Sequence, residues 1–303
     1  MTRTHRWLSA LVVLQLGLVA VTWAPPSGDA HPATTLVDWS ADEVVSLTVK
    51  SDGQRVELSR ASGQWVLVSE HDYPASERRV AETLDRLLGL EVQAPIATQP
   101  ANHGSLNVSD DANARRVTLG RGNETVDLIL GAASGSAVHV RRADRPEVYA
   151  LRGWTAFAIG DQPNRYWDTR LLDVNAEAMD SLTIHNPASS FTLEKNPEGW
   201  HLAGEDGPLD QQVVGQWVNR LANLRVAGVT GPIGPAPLEG STHVSWTAME
   251  GSRSLSGGLT FGATAAHRTA LQLDGGAYLL TVSSSSAEPF SSVNPDDLGP
   301  ATP

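Results

Sequence analysis

The sequence predicts an α+β protein made of two tandem similar modules, each a mostly antiparallel sheet with one main helix, placed after an N-terminal membrane helix. Three observations predict it. The first is an internal repeat. Val45-Ser46-Leu47-Thr48-Val49, Gly63-Gln64-Trp65-Val66-Leu67, Pro74 and Leu87-Leu88-Gly89-Leu90-Glu91-Val92 are answered, in order, by Asp180-Ser181-Leu182-Thr183-Ile184, Gly199-Trp200-His201-Leu202, Pro208 and Leu221-Ala222-Asn223-Leu224-Arg225-Val226. Trp65 and Trp200 are 135 residues apart, while Leu90 and Leu224 are 134 apart. A fixed period of this kind means one structural unit used twice. The second observation is a series of short strand-like runs separated by turn residues, and the third is a single amphipathic stretch in each repeat. The repeated landmarks are apolar and carry no polar signature, which favours a scaffold or binding surface over an active site.

Taken in order, Arg3, His5 and Arg6 precede an uncharged run at 7–24 that ends at Pro25-Pro26. Eighteen helical residues at about 1.5 Å each reach about 27 Å, close to the thickness of a hydrocarbon core. The positive charge ahead of the run keeps that end in the cytoplasm and exports the rest of the chain. The run exceeds the usual signal-peptide core of about 7–15 residues, and Trp7 and Trp23 stand where interfacial aromatics belong. A retained anchor at 1–24 is therefore expected, on a single-pass protein of the bacterial inner membrane with its bulk facing the periplasm. Cleavage after Ala30, within Gly28-Asp29-Ala30, is the alternative. Residues 25–38, rich in Pro, Ser, Ala and Thr, read as a tether.

The first module is expected at 39–160. Strand-like runs at 45–50, 55–60 and 64–69 are broken by Ser51-Asp52-Gly53 and Ser62-Gly63, which is turn chemistry. A helix comes after Pro74 with Val80, Leu84, Leu87 and Leu88 on one face. Four more strands are expected at 116–119, 125–130, 137–141 and 147–151. The second module, at 179–290, repeats the plan with strands at 181–185, 190–195 and 199–203. Its helix carries Val214, Trp217, Val218, Leu221 and Leu224, and its last strands fall at 244–248, 254–261, 269–273 and 278–282. Between the modules, residues 161–178 form a connector that mixes aromatics with both signs of charge. The Ser-, Pro- and Asp-rich end at 291–303 reads as a disordered tail.

Composition excludes several functions. With 303 residues there is room for two domains. The net charge of -12, with lysine only at positions 50 and 195, argues against a nucleic-acid partner. The absence of cysteine excludes disulfides, thiolate metal sites and cysteine nucleophiles. No two of the nine histidines have the i, i+4 spacing of a helical zinc site, and no metal or cofactor is expected. Gly131-Ala132-Ala133-Ser134-Gly135 lacks the Gly-x-Ser-x-Gly spacing of a nucleophile elbow. A hydrolase built on Asp110 or Asp111 is a minor alternative. The residues that best fit a binding surface are Trp154, Arg165, Trp167, Asp168 and Arg170, in and beside the connector.

Together these landmarks resemble the bacterial family called domain of unknown function 4340. The resemblance rests on Leu47-Thr48-Val49, Gly63-Gln64-Trp65-Val66-Leu67, the proline-led helix at 74–90, Gly104-Ser105-Leu106 ahead of Val117-Thr118-Leu119, Val148-Tyr149, and the connector at 165–172. It implies a membrane-tethered extracytoplasmic companion of an ABC-type exporter resembling the gliding-motility transport system, and it brings no catalytic residues. The expected function is thus a non-catalytic accessory protein that binds or positions a transporter component. A soluble periplasmic module that binds a glycan or peptide in an aromatic cleft near Trp154 and Trp167 is the rival.

Overall fold

In the computed structural model, residues 33–110, 114–134, 137–155, 158–205, 207–234, 238 and 241–299 are described. The expected membrane segment lies outside them, and no helix among the described residues is long and apolar enough to cross a membrane.

The first sheet is built from β2 (Ser46–Ser51), β3 (Gln54–Ala61), β4 (Gln64–Leu67), β5 (Tyr73–Pro74), β7 (Arg115–Arg121), β8 (Glu124–Ser134), β9 (Ala137–Arg142) and β10 (Val148–Arg152). Helix α1 (Glu77–Leu88) lies between β5 and β6 (Glu91–Val92), and β6 pairs with β1 (Thr34–Thr35). The second sheet holds β11 (Met179–His185), β12 (Ser190–Asn196), β13 (Gly199–Leu202), β14 (Gly228–Pro232), β15 (Thr242–Glu250), β16 (Arg253–Ala265), β17 (Arg268–Leu273) and β18 (Tyr278–Ser283). Helix α2 (Gln211–Ala222) precedes β14, and α3 (Ser284–Ser292) comes after β18.

Seven strands in each sheet trace one path. The order is β10-β9-β8-β7-β2-β3-β4 in the first sheet and β18-β17-β16-β15-β11-β12-β13 in the second. The sheets differ at their margins, where β5 extends the β4 edge of one and β14 extends the β18 edge of the other. The first sheet carries a trace of that second extension, a bridge between Ala97 and Val148. Every pairing is antiparallel, and registers correspond as well. Leu47 faces Leu58 and Leu119, just as Leu182 faces Leu193 and Trp246.

Alternation along the strands puts one face of each sheet in the core. Helix α1 covers the first with Val80, Leu84 and Leu87, and α2 covers the second with Val214, Trp217, Val218 and Leu221. The two repeated tryptophans are set in the same way. The backbone N–H of Trp65 donates to Glu77 Oε1 at 2.8 Å and that of Trp200 to Gln211 Oε1 at 2.7 Å, each acceptor being the first residue of its helix. Arg60 lies over the Trp65 ring and Lys195 over the Trp200 ring, in both cases from the cross-strand partner.

Two boundaries differ from the sequence reading. Residues 34–37, expected in the tether, belong to the first module: β1 pairs with β6, and Leu36 and Val37 are buried. The expected disordered tail is packed as far as Gly299, with Val293 and Leu298 buried and Leu298 C=O accepting from Asp210 N–H. A polar composition concealed two apolar anchors there. Residues 300–303 lie outside the described residues.

Candidate functional site

The connector crosses from one sheet to the other as an extended segment held on both sides. On the first side, Ser76 N–H donates to Tyr166 C=O at 2.7 Å and Asp168 N–H to Pro74 C=O at 3.0 Å, while Ala75 bridges Trp167. On the second side, Val226 N–H donates to Thr169 C=O at 2.9 Å, and Arg170 bridges Arg225. Tyr166 and Leu172 point inward and are buried in a core continuous with both sheets. Between them Asp168 and Arg170 are exposed and Trp167 is half-buried.

A tyrosine pair closes the junction. Tyr73 and Tyr278 meet edge to face, with ring centroids 5.2 Å apart at 77°. The Tyr73 hydroxyl donates to Asp168 C=O and the Tyr278 hydroxyl to Asp72 C=O, both at 2.9 Å. Burial first, then the charge of Asp168 and the Tyr278 phenol, push the Tyr73 phenol far above its usual range. His71 and Asp72 hold left-handed φ angles of 57° and 61°, which turns the chain so that Tyr73 can face the second module.

Two clefts flank the connector. One, of about 600 Å³, lies against the first module and is lined by Trp65, Glu77, Arg78, Trp167, Asp168 and Arg170 among others. The other, of about 570 Å³, lies against the second module, where Asn223, Trp246, Glu250 and Arg253 contribute. Arg170, Asp173 and Arg225 line both. The structure therefore brings together Trp167, Asp168 and Arg170 of the expected surface. Arg165 lines a separate pocket of about 70 Å³ beside Glu82 and Tyr166. Trp154 lines a third cleft of about 750 Å³ with Tyr149 and Arg86, so the two tryptophans do not share one aromatic cleft. Sequence reasoning missed Arg225, Trp246 and Arg253. A signal existed for the first, since Arg225 stands where the first repeat has Glu91.

Elsewhere, polar groups are committed to structure. Burial alone would raise the Asp110 carboxyl, but hydrogen bonds from Arg116 and Arg141 outweigh it and hold that group below the usual carboxylate range. The buried Arg141 also donates to Val108, Arg142, Ala143 and Arg145 carbonyls, a set that satisfies a desolvated guanidinium. Asp111 lies outside the described residues. Ser190 Oγ stands 2.6 Å from His185 Nδ1 across the β11–β12 hairpin, but among the described residues no carboxylate orients that imidazole. No group of three or more His, Asp or Glu among the described residues is placed to hold a metal ion.

The family model described as Domain of unknown function (DUF4340) matches residues 65–241, from Trp65 in β4 through the connector to the residue before β15. No curated protein and no solved structure matches the chain.

Proposed function

Because the chain belongs to the DUF4340 family, a family without an assigned activity, we propose that it is a non-catalytic, membrane-anchored extracytoplasmic accessory protein. In this reading it binds or positions a partner of an ABC-type export or envelope machine in the periplasm. The two modules would descend from one duplicated unit, a view supported by the seven-strand path common to both sheets. The observation that carries the proposal is the connector. Its backbone is bonded to both modules while Trp167, Asp168 and Arg170 keep an outward, partly exposed edge. A fixed strip with an aromatic ring and both charge signs has the composition of a docking surface.

A photoreactive residue in place of Arg170, activated in intact membranes of the native host, tests this. Crosslinks to a permease subunit that vanish in Trp167→Ala are expected; crosslinks to none would overturn the proposal. A second reading, a soluble periplasmic glycan- or peptide-binding module, is favoured by the cleft that Trp154 and Tyr149 line together. It requires cleavage after Ala30, and intact-mass measurement of the mature protein decides between the two.

A further inference from the structure

The cleft between the connector and the second module differs from its counterpart region in three ways that act together. The hairpin that walls it is longer. From Val117↔Leu128 to the turn pair Arg121↔Glu124 the first sheet has five paired rungs, whereas from Val244↔Leu259 to Glu250↔Arg253 the second has seven. The added rungs carry Arg253 to the cleft's rim. At the same register, the first sheet's Leu119↔Val126 pair is replaced by Trp246↔Gly257. A Cβ on Gly257 would lie 2.8 Å from Trp246 Cζ2, so only glycine leaves room for the indole to lie across β16. The third difference is the charge reversal that puts Arg225 where β6 has Glu91.

Trp246 is 8 % exposed, and its Nε1–H has no hydrogen-bond partner among the described residues. The Nε1 atom is itself shielded and lies against Gly257, so the indole walls the cleft with its ring rather than offering it a donor. The arginines around it are largely uncommitted. Arg170 pairs with Asp173 at 3.2 Å, and Glu250 accepts from Asn175 N–H at 3.2 Å. Arg225 donates to Leu224 C=O, and Arg253 meets no carboxylate among the described residues. In a chain of net charge -12, a cleft lined by Arg170, Arg225 and Arg253 against Asp173 and Glu250, in which Arg225 and Arg253 meet no carboxylate among the described residues, is a local inversion of sign.

We propose that this cleft binds a phosphate-bearing ligand, held by Arg225 and Arg253 beside the Trp246 ring. A carboxylate presents two coplanar oxygens that one guanidinium satisfies, whereas two guanidinium groups carried on different segments suit a tetrahedral group. The site shares Arg225 with the other cleft, but Trp167 and Arg253 each line only one of these two, so variants at those residues separate it from partner docking.

The test monitors the indole Nε1–H resonances of the full-length chain in zwitterionic detergent, with the Trp246 signal assigned as the one lost in Trp246→Phe. Inorganic pyrophosphate at constant ionic strength should shift that resonance and leave the other indoles in place. Arg225→Ala and Arg253→Ala should each weaken the response about tenfold or more, as expected for loss of a charge-assisted contact. Arg253 is exposed at a hairpin end, so its variant keeps the test valid should Arg225→Ala perturb folding. A Trp246 resonance unmoved by millimolar pyrophosphate, moved only by citrate, or moved equally in the double arginine variant would overturn the proposal. Nanodiscs identify the source. A shift in phosphatidylglycerol but not phosphatidylcholine discs assigns the site to a lipid headgroup, and a shift with pyrophosphate alone assigns it to a soluble phosphate ligand.

Discussion

The first residue of each main helix shows how one side-chain atom can be dictated by its neighbours. Glu77 and Gln211 both accept the backbone N–H of a repeated tryptophan, yet one is a carboxylate and the other an amide. The reason lies in the opposite backbone group. Trp65 C=O already accepts from Ala75 N–H, beside β5, whereas among the described residues the second sheet has no such strand and Trp200 C=O accepts from Gln211 Nε2 at 2.8 Å. An amide is needed where both a donor and an acceptor are needed. Gln211→Glu should therefore lower stability by about 1–3 kcal/mol, the range for leaving a part-buried carbonyl unpaired, while Glu77→Gln should be close to neutral. Denaturant titration of the two variants checks the asymmetry. Tyr73 supplies a second prediction. An unfolded tyrosine ionises near 10.0, but the folded phenol keeps its proton to higher pH. Its contribution is therefore fully present below pH 10 and is lost as pH rises beyond it. Tyr73→Phe should flatten the alkaline decline in melting temperature, and an unchanged slope would show that other groups set it.

At the level of elements, the features legible in the sequence were those that its own spacing determines. The hairpins were legible because Ser51-Asp52-Gly53 or Asn196-Pro197-Glu198-Gly199 between alternating runs specifies a turn locally, and α1 and α2 because their apolar positions recur at helical spacing. The elements that escaped are held by distant partners. Strand β14, Gly228–Pro232, has the composition of a loop and is a strand only because it pairs with β18. Helix α3 is serine-rich and contains Pro289, a poor helix by propensity. It forms because Ala287 and Phe290 are fully buried, with Phe290 stacked on Phe261 at 5.4 Å and packed on Trp217 at 4.5 Å. Phe290→Ala should then cost about 3–5 kcal/mol, as for a large core aromatic, whereas Ser285→Ala, on the same helix, should change little. Equal effects would mean that the helix is stabilised by its own sequence. The site was legible to the same extent. Trp167, Asp168 and Arg170 announced themselves by clustering in the chain, but Trp246 and Arg253 reach the connector only through the register of β15 and β16.

For the whole molecule, the question is whether two sheets with separate helices behave as two folding units. Each has the size and core of an independent domain, which by itself predicts two transitions. The connector argues otherwise. It donates and accepts backbone bonds on the first side and accepts one on the second, and Tyr166 and Leu172 sit in an apolar cluster that runs without interruption through both modules. Unfolding either module strips partners from the other: loss of the second would expose Tyr73 and free Thr169 C=O, and loss of the first would expose Tyr278 and leave Asp168 N–H unpaired. Calorimetry of the intact chain should show one transition whose van't Hoff and calorimetric enthalpies agree. Tyr278→Ala removes a ring contact and a hydrogen bond that span the junction while touching little of either core. The variant should broaden the endotherm or divide it in two. A wild-type endotherm already resolved into two, unmoved by Tyr278→Ala, would mean that the modules are joined by the connector without being coupled through it. The strip of connector offered to a partner would then lack the rigidity that makes it a surface.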